Sequence, residues 1–170
     1  MSAPPNSVAL ARVDNRLVHG QVLEAWLPAL DAQGIVVADD EAAGSILVRS
    51  AMALAIPSRI SFQVLSLAQA AALFRPGGEG PPAPRTLLLV REVRDAATLR
   101  EQGVPLPRLN LGNIHFRAGR KALSSSVYLD QVELDLLTQL AAAGTEIELR
   151  AVPSEAPIFL AQAKARFDLA

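Results

Sequence analysis

Three side chains that can do chemistry together lie within one short segment: Asp14, Arg16 and His19. A neutral imidazole is a nucleophile near neutral pH, because its usual pKa is about 6.5. A carboxylate can fix the tautomer of the ring, and a guanidinium can hold phosphoryl oxygens in a bidentate fork. The segment therefore fits phosphoryl chemistry on His19. It fits equally a histidine that only caps a helix or forms a structural hydrogen bond.

The chain has only two histidines and no cysteine. Imidazole chemistry must therefore use His19 or His115, and thiol catalysis and cysteine-ligated metal sites are excluded. His115 follows a later predicted strand, and we interpret it as a loop or packing histidine. No carboxylate cluster has the spacing of a metal site, and Gly-x-Ser-x-Gly, Gly-x-Gly-x-x-Gly and Walker A motifs are absent. We expect no metal and no cofactor.

The elements that must position these residues alternate between short β-branched or leucine-rich runs and longer alanine- and leucine-rich segments. This alternation is typical of βαβ units that build a parallel sheet. The predicted strands are 8–13, 34–38, 60–65, 86–90, 108–111 and 146–151, and the predicted helices are 21–30, 41–53, 67–74, 95–102, 131–143 and 156–167. We predict an α/β protein with an open, mostly parallel, doubly wound sheet that has helices on both faces.

Local signals support these boundaries. Ser66 and Asp130 suit helix N-caps, and Gly103 and Gly144 suit helix C-terminal caps. The Pro/Gly-rich segment 76–84 cannot form a helix or an inner strand, and we interpret it as a flexible connection. The pieces on either side have too few strands to make complete sheets, so we expect one domain over 1–170.

Composition and charge narrow the class of protein further. The chain has 170 residues, 51% of them hydrophobic, and a formal net charge of -1. Without a basic block, a nucleic-acid partner is not expected. The first residues lack the features of a signal peptide, and no apolar run is long enough to span a bilayer. We therefore expect a cytoplasmic protein.

Ligands of parallel sheets gather beyond the carboxyl ends of the strands. The residues after the first and fifth predicted strands are therefore candidates to support a phosphate site. They are Asn15, Gly20, Gln21, Asn110 and Gly112, with Asn113 as a further amide donor at the same edge. The pair Asp39 and Asp40 ends the second strand, where it either caps the following helix or reaches the site.

Residues 8–26 resemble the signature of the mannose/fructose/sorbose-family enzyme IIB of the bacterial sugar phosphotransferase system. That signature joins an Arg-x-Asp-x-Arg run to His-Gly-Gln-Val and a later tryptophan, and this chain carries it as Arg12, Asp14, Arg16, His19 and Trp26. The resemblance continues through 37–41, 109–113, 126–130 and 144–153, so it covers nearly the whole chain.

The resemblance implies a phosphotransferase in which His19 carries the phosphoryl group, on Nδ1 in this family. Arg16 would steady the phosphoryl group and Asp14 would orient the ring and balance its charge. The family relays phosphate from a histidine of IIA to IIB and then to a sugar bound by the membrane components IIC and IID, with which IIB would associate peripherally. A regulatory phosphohistidine protein without sugar transfer is the alternative; a small-molecule-binding domain would leave the grouping of Asp14, Arg16 and His19 unexplained.

One position departs from the family pattern. Asn15 stands where many members carry a second aspartate. The missing charge could alter how the loop binds Arg16 or its donor, but it leaves His19 and Arg16 in place.

Overall fold

An open seven-stranded sheet runs through the computed structural model, which describes residues 6–78 and 85–170. In spatial order its strands are β3 (Ser61–Leu65), β2 (Gly34–Ala38), β4 (Thr86–Val90), β1 (Val8–Asp14), β5 (Arg108–Asn113), β8 (Glu146–Leu149) and β9 (Ile158–Phe159). Neighbours are parallel except β8 and β9, which are antiparallel. A separate antiparallel pair joins β6 (Lys121–Ala122) to β7 (Tyr128–Leu129). Because β1 lies between β4 and β5, its carboxyl end is near the middle of the sheet edge, where ligands of parallel sheets bind.

The helices connect these strands and cover the sheet. They are α1 (Leu27–Leu30), α2 (Asp40–Ala43), α3 (Ile46–Ala55), α4 (Leu67–Phe74), α5 (Val93–Glu101), α6 (Gln131–Ala142) and α7 (Leu160–Leu169). A π-helical turn over Val22–Trp26 precedes α1. The predicted caps Ser66 and Asp130 are confirmed, since their side chains accept the backbone N–H groups of Gln69 and Glu133.

Alternate residues of the central strands enter two separate hydrophobic cores. In β4, Leu88 and Val90 join a core that includes buried residues of α4, α5, α6 and α7. Leu87 and Leu89 join a second core, which contains Trp26 and the start of α1. Both faces of the sheet are covered, which confirms the doubly wound prediction. It also explains why β4 shows no alternation of apolar and polar residues.

Two of the predicted helices are wrong in part. The helix predicted over 41–53 is split into α2 and α3, because Ser45 accepts the N–H of Val48 and so starts a new helix. The helix predicted over 156–167 begins later, since Ile158 and Phe159 pair with β8 before α7 starts. The sequence pattern did not predict β6, β7 or β9, each of which has only two residues.

Of the predicted Pro/Gly-rich connection at 76–84, residues 79–84 lie outside the described residues. Within the described ranges, no helix combines the length and apolar character needed to cross a membrane.

Candidate functional site

The loop after β1 places Asp14, Arg16 and His19 at one point of the sheet edge. Asp14 is the last residue of β1, and the N–H of Leu17 returns to its backbone carbonyl at 3.0 Å to form a tight turn. Leu17 has a φ of 58°, which is unusual for a residue with a Cβ atom, and its side chain is buried in the second core. The helical segment then begins, with the N–H groups of Val22 and Leu23 donating to the carbonyl of His19.

A short polar contact joins Nε2 of His19 to a carboxylate oxygen of Asp14, at 2.6 Å. The side chain of Asp14 is fully buried, whereas that of His19 is 14% exposed. A carboxylate can only accept a hydrogen bond, so Nε2 carries the proton of this contact. The other ring nitrogen, Nδ1, is the one that Asp14 leaves free to react.

Hydrogen bonds keep the Asp14 carboxyl in its charged form. Burial raises the pKa of this group, but hydrogen bonds from His19, Asn113 and the backbone N–H of Arg16 lower it, and so does the charge of Arg12. The net effect is a pKa below the usual value for aspartate. Asp14 is therefore ionised at neutral pH.

Arg16 lies on the open side of the loop. Its side chain is 46% exposed, and its Nε is 3.9 Å from the carboxylate of Asp14, while its backbone N–H donates to the same carboxylate at 2.9 Å. The hydrogen bond of its N–H group fixes the backbone of Arg16 next to Asp14. The long side-chain contact leaves the guanidinium free to turn toward an anion bound near His19.

Asn15 ties this loop to two neighbouring ones. Its side-chain amide donates to the carbonyl of Arg91 at 2.7 Å, and its side-chain oxygen accepts the backbone N–H of His115 at 2.7 Å. Both partners are backbone groups with fixed roles, so the orientation of the amide is determined. The imidazole of His115 is exposed, in agreement with its interpretation as a loop histidine.

A buried polar layer lies beneath Asp14, centred on Arg12. The guanidinium of Arg12 donates to Asp14 at 3.1 Å, to Gln21 at 3.0 Å and to Asn110 at 2.6 Å. Asn113 donates to both Asp14, at 2.9 Å, and Gln21, at 3.0 Å. The predicted support residues Gln21 and Asn110 therefore contact Arg12 rather than the imidazole of His19.

The two predicted glycines of the site differ in their surroundings. A Cβ atom on Gly112 would lie 2.0 Å from Cζ of Arg12, so only glycine leaves room for the guanidinium. A Cβ atom on Gly20 would meet no atom within 4 Å, and the residue is exposed at the start of the helical segment. Gly112 thus belongs to the buried layer, and Gly20 to the open side.

Asp39 has two roles in the structure. One carboxylate oxygen accepts the N–H of Ala42 and caps α2, as predicted. Both oxygens also accept hydrogen bonds from Arg91, at 2.9 and 3.2 Å, and another nitrogen of Arg91 is 3.4 Å from the carbonyl of Asn15. Asp39 therefore reaches the loop through Arg91.

Arg12 and Trp26 match the family signature, but the sequence did not predict a role for them in the site, and it did not point to Arg91. Arg91 directly follows β4, so the rule about strand ends could have found it. Arg12 precedes Asp14 by two residues on β1 and therefore shares its face of the strand. In the described residues, no group of three or more histidine, aspartate or glutamate side chains is placed to hold a metal ion.

Comparisons with known proteins agree on one family. The family model described as "PTS system sorbose subfamily IIB component" matches residues 8–166. The chain is similar to the PTS system fructose-specific EIIB component of Bacillus subtilis, with 30% identity over 88% of this chain and 91% of that protein. It is also similar to the mannose-specific EIIAB component of Escherichia coli, with 29% identity over 87% of this chain and 45% of that protein.

Solved structures show the same relationship. The IIBSor domain of the sorbose permease from Klebsiella pneumoniae has a TM-score of 0.84 and 29% identity, covering 94% of this chain and 97% of that one. The N-acetylgalactosamine-specific IIB component 1 of Escherichia coli has a TM-score of 0.81 and 29% identity, covering 89% and 97%. With the family model matched over 8–166, the chain belongs to the sorbose-subfamily IIB components of the sugar-transporting phosphotransferase system.

Proposed function

We propose that the chain is a phosphoryl carrier that accepts phosphate on Nδ1 of His19 from a phosphorylated IIA protein. It then passes the phosphate to a sugar bound by the membrane components IIC and IID, at which it would act as a peripheral, cytoplasmic subunit. The observation that carries this proposal is the 2.6 Å contact between Asp14 and Nε2 of His19. That contact fixes one ring nitrogen as a proton donor and leaves the lone pair of the other free to attack.

The proposed first step exchanges one nitrogen–phosphorus bond for another. The lone pair of Nδ1 attacks the phosphorus in line, and the bond to the donor imidazole breaks with its electron pair returning to the donor nitrogen. The His19 ring gains positive charge, which the ionised Asp14 carboxylate balances through Nε2–H. Because the bonds formed and broken are of the same kind, the step needs neither ATP nor another co-reactant.

Charge on the transferring oxygens also needs cationic or N–H donors. Arg16 is exposed, starts at the turn before His19 and is the candidate for this contact. A helical segment begins directly after His19, and the positive end of its dipole is also suited to hold an anion.

The second step would transfer the phosphoryl group to a sugar hydroxyl. The hydroxyl oxygen attacks the phosphorus, the bond to Nδ1 breaks, and the ring recovers its lone pair while the hydroxyl proton is released. A shallow site suits such exchanges between large partners: His19 is partly exposed at the sheet edge. A cavity of about 490 Å³ lies instead at the opposite end of β1, where Val8, Phe74 and Pro107 line it.

A IIA donor is supported by one relative's name, since the chain covers 45% of a protein named mannose-specific EIIAB component. The test is incubation of the chain with radiolabelled phosphoenolpyruvate, the general phosphoryl carriers and a cognate IIA. We expect acid-labile, base-stable label on the wild type and on the control His115→Ala, and none on His19→Ala. Label that persists in His19→Ala would overturn the proposal.

Transfer to sugar is tested separately from acceptance. Phosphorylated chain is added to vesicles that contain IIC and IID, and sugar phosphate is measured. Formation of sugar phosphate is expected. A chain that is labelled on His19 but never gives up its phosphate to sugar would instead support the regulatory alternative.

A further inference from the structure

We propose that Arg12 is a positioning residue for phosphoryl transfer: its buried guanidinium holds the Asp14 carboxylate charged and aimed at Nε2, and so fixes the tautomer of His19. This inference rests on the proposed function of His19 but concerns a residue that does not touch the phosphoryl group. Arg12 is fully buried and donates to the same carboxylate oxygen that contacts His19.

The surroundings of Arg12 hold its guanidinium in one place. Its Cζ lies 5.0 Å from the centroid of the Trp26 ring, within the range of a cation–π contact. Gly112 leaves room for the guanidinium, since a Cβ atom at this position would lie only 2.0 Å from Cζ of Arg12. The two terminal nitrogens of the guanidinium donate hydrogen bonds to the side chains of Asp14, Gln21 and Asn110. An arginine so confined directs a fixed positive charge at one oxygen of Asp14.

Stability alone does not explain why a charge is buried here. Taking a guanidinium out of water is unfavourable, and a well-packed apolar side chain often gives a more stable protein than a buried ion pair. Moreover, Nε of Arg12 is buried with no hydrogen-bond partner among the described residues. The burial of Arg12 is thus unfavourable for stability. Its effect on the Asp14 carboxylate explains why an arginine is found at this position.

Burial raises the pKa of Asp14 and the charge of Arg12 lowers it. Without Arg12 the pKa of Asp14 would therefore be higher, and the carboxyl would take up a proton at a higher pH. The other charged or titratable groups that face the pair are Arg16 and His19 on the loop and Glu155, which faces Arg12. A protonated Asp14 no longer requires a proton on Nε2. The ring could then carry its proton on Nδ1, where it would block attack on phosphorus.

The test compares Arg12→Gln with Arg12→Lys, Gly112→Ala and the control Arg150→Gln. Arg150 also lies over Trp26, at 5.5 Å, but no polar contact joins its side chain to Asp14 in the described residues. The first readout is the tautomer of His19 in the unphosphorylated protein, from imidazole ¹⁵N chemical shifts as pH is varied. The second is the rate of phosphoryl acceptance over the same range.

In the wild type and Arg150→Gln we expect the Nε2–H tautomer at every pH at which the ring is neutral. In Arg12→Gln we expect a mixture of tautomers and acceptance slower by about tenfold or more, the size of one charge-assisted contact, because the Asp14 carboxylate loses the guanidinium that holds its oxygen toward Nε2. The ratio of variant to wild-type rate should fall as pH is lowered, because Asp14 then takes up a proton at a higher pH than in the wild type. Arg12→Lys should recover part of the rate, and Gly112→Ala should show the defect with Arg12 still present.

A folded Arg12→Gln protein with the wild-type tautomer and a rate ratio independent of pH would overturn the proposal. If Arg12→Gln does not fold, Gly112→Ala decides in the same way. The tautomer measurement needs no phosphoryl donor, so failure of the wild type to accept phosphate would overturn the proposed function without affecting this test.

Discussion

One carboxylate oxygen of Asp14 lies 2.6 Å from Nε2 of His19 and 2.9 Å from the side-chain amide of Asn113. The amide arrives from β5, 99 residues along the chain, so the folded sheet determines the direction of this oxygen. The imidazole of His19 is thus oriented by the Asp14 carboxylate, which is itself held by a hydrogen bond from Asn113.

Asp14→Asn removes the charge but nearly preserves the shape of this side chain. We expect phosphoryl acceptance to fall by at least about tenfold, because the ring loses its ionised partner. We also expect a lower free energy of unfolding, by about 3 kcal/mol, because the charge of Arg12 stays buried without its partner. Urea denaturation and phosphorylation kinetics check both, with the exposed Asp135→Asn as the control. Wild-type kinetics would show that the charge of Asp14 is not needed.

Arg16→Ala should separate catalysis from folding. We expect transfer to slow by at least about tenfold, as the loss of one charge-assisted contact of roughly 1.5–3 kcal/mol requires. The stability should change by less than about 0.5 kcal/mol, because the guanidinium is half exposed and its ion pair with Asp14 is long. Arg59→Ala, at an exposed position on another loop, is the matched control. Equal rates in the two variants would remove Arg16 from the mechanism.

Asn15→Asp introduces the residue that many family members carry, and here we expect it to destabilise the protein. The new carboxylate could still accept the N–H of His115, but its other oxygen would face the carbonyl of Arg91 at 2.7 Å, where the amide donated. We expect a loss of about 1–3 kcal/mol in urea denaturation at neutral pH. At low pH the introduced carboxyl group, once protonated, could donate to that carbonyl, so the deficit should shrink. A deficit independent of pH would contradict this account.

Asp95 gives a pH dependence of opposite sign to that of Asp14. Burial raises the pKa of Asp95 to about 6, and nearby Asp39, Glu92 and Asp40 add to the effect. The native state therefore binds the proton more tightly than the unfolded state, so stability is highest below the ordinary pKa and is lost as pH rises through about 6. Asp95→Asn should be more stable than the wild type above that pH, by about 1 kcal/mol after allowance for solvent screening.

The measurement for Asp95 is the melting temperature of both proteins across this range. The difference in favour of Asp95→Asn should grow from acid to neutral pH. Asn can keep the contact of Asp95 with the N–H of Glu92 through its side-chain oxygen, so the start of α5 is preserved. A constant difference would mean that the pKa of Asp95 is not raised.

The loop chemistry could be predicted from sequence because Asp14, Arg16 and His19 are close together in the chain and follow a strand. The role of Arg12 at the centre of the buried layer could not, because Arg12 meets Asn110, 98 residues along the chain, only when β1 and β5 pair. An arginine inside a strand also resembles a solvent-facing residue until the covering helix is placed. The two-residue strand Ile158–Phe159 was missed for a related reason: its partner, β8, decides its conformation.

Trp26 is the single tryptophan of the chain, and its indole lies beside the guanidinium of Arg12 while its N–H donates to the carbonyl of Ala151 at 2.9 Å. The protein's tryptophan emission therefore comes entirely from the layer beneath His19. A rearrangement of Arg12 would alter the electric field at the indole ring, so the emission spectrum is a probe of this buried layer that needs no added label.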